Sequence, residues 1–205
     1  MKLSLYWSPA SPFVRKVMVA AHELGLGLDG TIETLESAAN PVERDARIKA
    51  FNPLAKVPAA QAGDGTALYD SRVICEYLDA ETGGRLFPPA GPARWTALRR
   101  QALADGVLDA ALLVRYETVI RPEEHRWPLW IEKQHEKVSD GLDAMEADVP
   151  EAECHDIGAI SYGCALGWLD FRFGEIGWRD GRSALAEWYA GYETRPAMVA
   201  TRPGA

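Results

Sequence analysis

The chain has 205 residues, 47% hydrophobic and 25% charged, the balance of an ordinary globular protein. Acidic side chains outnumber basic ones 30 to 22, a formal charge of −8, which argues against nucleic acid or an anionic membrane as the main partner. A chain of this length buries about 70% of its unfolded surface and needs neither disulfide nor metal to hold a core. Its three cysteines, Cys75, Cys154 and Cys164, match no zinc or CxxC spacing and fit free thiols in a reducing cytoplasm. The N-terminus lacks the apolar run of a signal peptide, and no stretch reaches the roughly 20 apolar residues of a membrane span.

Lys2–Trp7 carries Leu3, Leu5 and Trp7 at period two and predicts a strand. Ser11-Pro12 is a helix start, Ser at the N-cap and Pro at the first helical position. Val14, Val17, Met18, Ala21 and Leu24 follow at helical spacing, and Gly25 ends the run. Thr31–Leu35 predicts a second strand, and Pro41 opens a short polar helix reaching Phe51. Val57–Gln61 and Thr66–Tyr69 predict two more strands around a Gly63-Asp64-Gly65 turn. Ser71 then caps a helix whose Val73, Ile74, Tyr77 and Leu78 face inward. The order β-α-β-α-β-β-α implies one parallel strand pair joined through a helix and an antiparallel hairpin. Residues 83–92 (GGRLFPPAGP) read as a linker, and the remainder as helices over 94–120, 123–149, 156–173 and 182–193 before a tail with Pro196 and Pro203.

Several chemical patterns have plain structural explanations. The stretch 25–30 fits GxGxxG, but it follows a helix and precedes a strand, the reverse of a dinucleotide site, and reads as a helix end and turn. Gly163 and Gly167 have GxxxG spacing in a helix too polar for lipid, which fits close packing of soluble helices. His22, His125, His135 and His155 form no HExxH pattern, so no metal is expected. Asp105 and Asp109 share one face of the long helix, as a solvated pair or as groove-lining groups in an otherwise apolar stretch.

The informative set is Ser11-Pro12-Phe13, Asn52-Pro53, Lys56-Val57-Pro58 and Asp70-Ser71. Each has a local reading as cap, turn or strand start. In this order, with SPFVRKV after the first strand, FNPLAKVP before the third and DSRVICEYL opening the third helix, they resemble the glutathione S-transferase family in its bacterial serine-type form. The resemblance covers the whole chain. It implies a thioredoxin-like α/β domain with a mixed four-stranded sheet over residues 1–82, a linker over 83–92 and an all-α helical domain over 93–205.

The resemblance also assigns roles. Ser11 occupies the activating position, where its hydroxyl would donate to the glutathione thiolate near a helix N-terminus. Phe13 lies within the same motif. Val57-Pro58 matches the cis-proline step that would present the Val57 backbone to the cysteinyl residue of glutathione. Lys56 would meet the glycyl carboxylate, Ser71 the γ-glutamyl carboxylate and Asp70 its ammonium. Asp105 is the candidate for a carboxylate reaching that ammonium across a homodimer. The second substrate would lie near Trp7, Ser8 and Ala10, and near Leu112, Arg115 and Tyr116.

The sequence departs from the family pattern in places. Ala55 stands where Gly is usual before KVP. Glu153 stands where Ser or Thr usually precedes Asp156 by three, so that helix must be capped differently. No Cys replaces Ser11, which disfavours an omega-like thiol-disulfide reductase, and Tyr6 is a secondary candidate for activation. The expected protein is a cytoplasmic, metal-free glutathione transferase acting on a small, apolar electrophile. A glutathione-dependent isomerase, lyase or peroxidase, and a non-catalytic binding protein, are the alternatives.

Overall fold

Strand β1 (Leu3–Trp7) is the organising element of the first unit, paired on both sides. The computed structural model describes residues 1–26 and 30–204 and gives a four-stranded sheet in the order β2-β1-β3-β4. β2 (Ile32–Glu36) runs parallel to β1, while β3 (Ala59–Ala62) is antiparallel to β1 and to β4 (Ala67–Leu68). Tyr6 packs with Ile48 and Ala59, so alternation along β1 turns Leu3 and Leu5 to the opposite face. There the buried stripes of α1 (Pro12–Glu23) and α3 (Ser71–Glu81) pack together. The mixed four-stranded α/β sheet expected from the sequence is the one present.

Several boundaries moved for local reasons. α2 covers only Ala46–Phe51, not Pro41 onward. Asn40 Oδ1 accepts from the backbone N–H groups of Val42 and Glu43, holding a turn, and Asp45 then caps the helix. The N-cap of α3 is Asp70 rather than Ser71, and Val73 is exposed rather than inward-facing. Gly25 has φ of 82°, a left-handed conformation that fits the helix-end reading of the glycine-rich stretch. Residues 27–29 of that stretch lie outside the described residues.

The second unit spans Trp95–Thr194. It holds most of α4 (Pro92–Arg115), α5 (Pro128–Glu146), α6 (Ile157–Arg172) and α7 (Ser183–Tyr192). α6 is buried along nearly its whole length. Asp156 caps it directly, accepting from Ala159 N–H at 3.0 Å, which answers the missing Ser or Thr. Gly158 is needed there, because a Cβ would stand 2.8 Å from Arg100 Cβ and 2.9 Å from the Ala97 carbonyl oxygen. Glu146 of α5 reaches the N-terminus of α7 and accepts from the N–H groups of Ala184 and Leu185. α4 ends in a π-helical turn over Tyr116–Ile120, and Glu123–His125 is a separate 3₁₀ turn ahead of α5.

The tail expected after the last helix forms α8 (Pro196–Ala200), with Pro196 in its first turn. Residues 195–204 group with the first unit rather than with the helical one. Two contacts hold them: the Arg195 guanidinium forks onto Glu23 at 2.9 Å, and Arg15 Nη2 donates to the Met198 carbonyl at 3.2 Å. Among the described residues no helix is long and apolar enough to cross a membrane.

Candidate functional site

Strand register decides which loops of the first unit meet. Tyr6 lies opposite Ala59, so the chain leaving β1 toward Ser11 passes beside Pro58. Ala60 lies opposite Leu68, so the chain leaving β4 toward Asp70 and Ser71 emerges at the same edge. The three motifs, more than forty residues apart in sequence between Ser11 and Val57, therefore share one edge of the sheet.

Ser11 is the N-cap of α1, extended at φ −87° and ψ 120°. Its Oγ accepts from Val14 N–H at 3.3 Å. The capping bond uses an acceptor lone pair and leaves the hydroxyl proton to donate elsewhere. The side chain is half-buried and lines a groove that also takes in Trp7 and Ser8 of the expected second-substrate set. Phe13 is half-buried one position into α1.

The Val57-Pro58 bond is cis, as the resemblance implies. Its approach is fixed by Asn52, which is 2% exposed. The Asn52 amide donates to the Lys56 carbonyl at 3.0 Å, its Oδ1 accepts from Leu54 N–H at 3.0 Å, and its backbone carbonyl accepts from Ala55 N–H at 2.8 Å. Asn52 had an evident place in the sequence motif but no assigned task; the structure makes it the residue that positions the loop. Ala55 takes φ of 54°, the left-handed region that explains the usual glycine. Val57 is half-buried, Pro58 buried and Lys56 exposed.

At the third loop, Asp70 is exposed, and its Oδ1 accepts from Arg72 N–H at 2.9 Å. Ser71 is buried as the first residue of α3. Asp70 thus carries a carboxylate at the helix N-terminus and Ser71 a hydroxyl just inside it, an arrangement suited to a zwitterionic α-amino acid end.

The remaining expected residues lie elsewhere. Tyr6 is a core residue, its ring 5.0 Å from that of Phe51 in an edge contact. Asp105, Leu112, Arg115 and Tyr116 lie on α4 and the turn after it, in the second unit. Asp105 is buried at 3% exposure and Asp109 is exposed, so the two are not an equivalent solvated pair. Burial holds the Tyr116 phenol above its ordinary pKa. Sequence reasoning passed over Arg15. It sits inside SPFVRKV among apolar residues, and a cation on the buried side of a helix was the available signal.

The chain matches the family described as "Glutathione S-transferase, N-terminal domain" over residues 10–81, and that described as "Glutathione S-transferase, C-terminal domain" over residues 128–191. It is 30% identical to the uncharacterized GST-like protein YibF of Escherichia coli K12, with 98% of each chain covered. It resembles a glutathione transferase family member from Pseudomonas fluorescens Pf-5 solved with bound glutathione, at 46% identity, full coverage of both chains and a TM-score of 0.95. A structure of such a Pseudomonas protein with bound S-(propanoic acid)-glutathione matches at 45% identity over 99% of this chain and 100% of that one, with a TM-score of 0.90. A glutathione S-transferase from Methylobacillus flagellatus KT with glutathione bound matches at 35% identity over 99% of this chain and 100% of that one, with a TM-score of 0.86. Domain matches covering more than half the sequence, on a sheet whose register gathers the family's motifs at one edge, mean that this chain belongs to the glutathione S-transferase family.

Proposed function

We propose that this protein binds glutathione at the edge shared by Ser11, Val57-Pro58 and Asp70-Ser71, ionises its thiol at Ser11, and transfers the sulfur to a small electrophile. The observation that carries the reading is the register-imposed convergence of these three loops. Solved relatives holding glutathione or its thioether S-(propanoic acid)-glutathione support it.

Each contact has a chemical basis. The extended cysteinyl backbone of glutathione pairs with the Val57 N–H and C=O as a short added strand. Lys56 meets the glycyl carboxylate as a point charge. Ser71 and the N-terminus of α3 take the γ-glutamyl carboxylate, and Asp70 its ammonium. The Ser11 hydroxyl donates to the sulfur, stabilising thiolate over thiol, and the N-terminal end of α1 favours the same charge. The thiol proton leaves to water. The thiolate pair then forms the S–C bond, and the acceptor loses a leaving group or sends a π pair to a carbon that takes up a proton. Lowering a thiol pKa by one unit corresponds to about 1.4 kcal/mol of preference for the anion. The working form is a cytoplasmic homodimer.

The test is Ser11→Ala assayed for conjugation and glutathione affinity. Turnover is expected to fall by roughly ten-fold or more, the scale of one charge-assisted hydrogen bond, with affinity within a few-fold of wild type. Unchanged turnover removes Ser11 from the reaction.

A further inference from the structure

The groove beside Ser11 runs along one face of α1. Ser11, Arg15, Met18 and His22 recur at the three-to-four spacing of a single helical stripe. Ala200–Arg202 of the C-terminal segment and Thr34 of β2 close it, all within the first unit. Its volume is about 220 Å³, below the range of pockets that take drug-sized ligands and suited to a small organic molecule.

The charge of this groove runs against that of the chain. The net charge is −8, yet the ionisable side chains lining the groove are Arg15, His22 and Arg202, with no carboxylate among them. Arg15 is 7% exposed. Its Nη2 is held by the Met198 carbonyl, while Nε and Nη1 are buried without an acceptor among the described residues. A buried guanidinium with two idle donors is costly and calls for an anionic partner. Thr34 adds a hydroxyl beside it, while the Thr201 hydroxyl donates to the Ala197 carbonyl at 2.8 Å.

We infer that this groove is the subsite for the carboxylate of a small acidic acceptor, anchored chiefly by Arg15 and assisted by Arg202. Arg15 lies one helical turn beyond Ser11, about 6 Å along the axis, so the two residues stand on the same face of α1 beside one groove. The acceptor is therefore a compact unsaturated or activated carboxylic acid rather than a purely apolar molecule. The inference rests on the transferase reading for the sulfur side only; binding of the carboxylate stands apart from it.

The experiment uses the whole protein with two probes, unreactive propanoate for binding and acrylate against its neutral analogue acrylamide for conjugation. Arg202→Gln changes an exposed side chain, and Arg15→Lys keeps the buried charge while removing the fork, so a folding defect in one leaves the other readable. Propanoate is expected to bind at millimolar concentration without glutathione, and more weakly by about ten-fold in each variant. The ratio of kcat/KM for acrylate over acrylamide is expected to fall by about the same factor. Propanoate binding that depends on both arginines with neither acceptor turned over supports the subsite and sinks the transferase reading. Propanoate that fails to bind, binds equally well to both variants, or is displaced by saturating glutathione overturns the subsite as an acceptor site.

Discussion

The proposed activation would give Ser11 two tasks that compete in a side chain with one oxygen. As N-cap it accepts from Val14 N–H; as activator it donates, and the hydroxyl geometry permits both. The loop that would face it depends on two residues with no chemistry of their own. Asn52 ties Leu54, Ala55 and Lys56 together, and Ala55 turns the chain at positive φ. A left-handed alanine costs about 1–2 kcal/mol, partly offset by burying its methyl group. A β-branched side chain cannot follow, so Ala55→Val is expected to lower stability by about 2–3 kcal/mol, and Ala55→Gly to change it by no more than about 1 kcal/mol. Urea unfolding of the two variants reads this directly; a valine variant as stable as wild type contradicts the left-handed turn.

Among elements, the connection after α3 shows most clearly what a sequence pattern hides. Residues 83–92 read as a Gly- and Pro-rich linker, and Asp79, 3% exposed, fastens its start. Asp79 Oδ1 accepts from the N–H groups of Arg85 and Leu86 at 2.7 Å, and Oδ2 from Phe87 N–H at 3.1 Å. Asp79→Ala strands three donors and is expected to cost about 3 kcal/mol or more in denaturant titration. A change of a few tenths would show that water replaces the carboxylate. Periodicity located α1, α3 and the long helices because their apolar stripes repeat. It missed the Asn40 turn, the Asp70 cap and the π-helical end of α4, which depend on side-chain-to-backbone bonds that periodicity does not encode. It also left α8 as a tail, because five residues are too few to show a period and that segment is fixed by distant partners, Glu23 and Arg15.

For the whole molecule, the motif set and element order made the fold and the Ser11, Val57-Pro58 and Asp70-Ser71 edge legible. The Arg15 groove was not, since its lining joins α1 to residues near the far end of the chain. The acidic character has a consequence for stability. Asp148 accepts from Arg100 at 2.9 and 3.1 Å and from Arg99 at 2.9 Å, and the Arg100 hydrogen bond is the main cause holding its carboxyl below the ordinary 3.8. A carboxylate whose pKa is lower folded than unfolded stabilises the fold above its unfolded pKa, and that contribution fades as pH falls through the folded one. Asp148→Asn is expected to be less stable than wild type at neutral pH, with the gap closing below about pH 4. Stability curves that stay parallel through that range would show that the ion pair contributes nothing.

The most direct measurement is a titration of the protein with glutathione, following binding heat and thiolate absorbance across pH, in wild type and Ser11→Ala. The account predicts binding by wild type with the thiol pKa lowered by at least about one unit from the ordinary thiol value near 8.5, and most of that shift lost in the variant. Glutathione bound with an unshifted thiol would contradict thiol activation and leave a binding protein; no binding at millimolar glutathione would contradict the site itself.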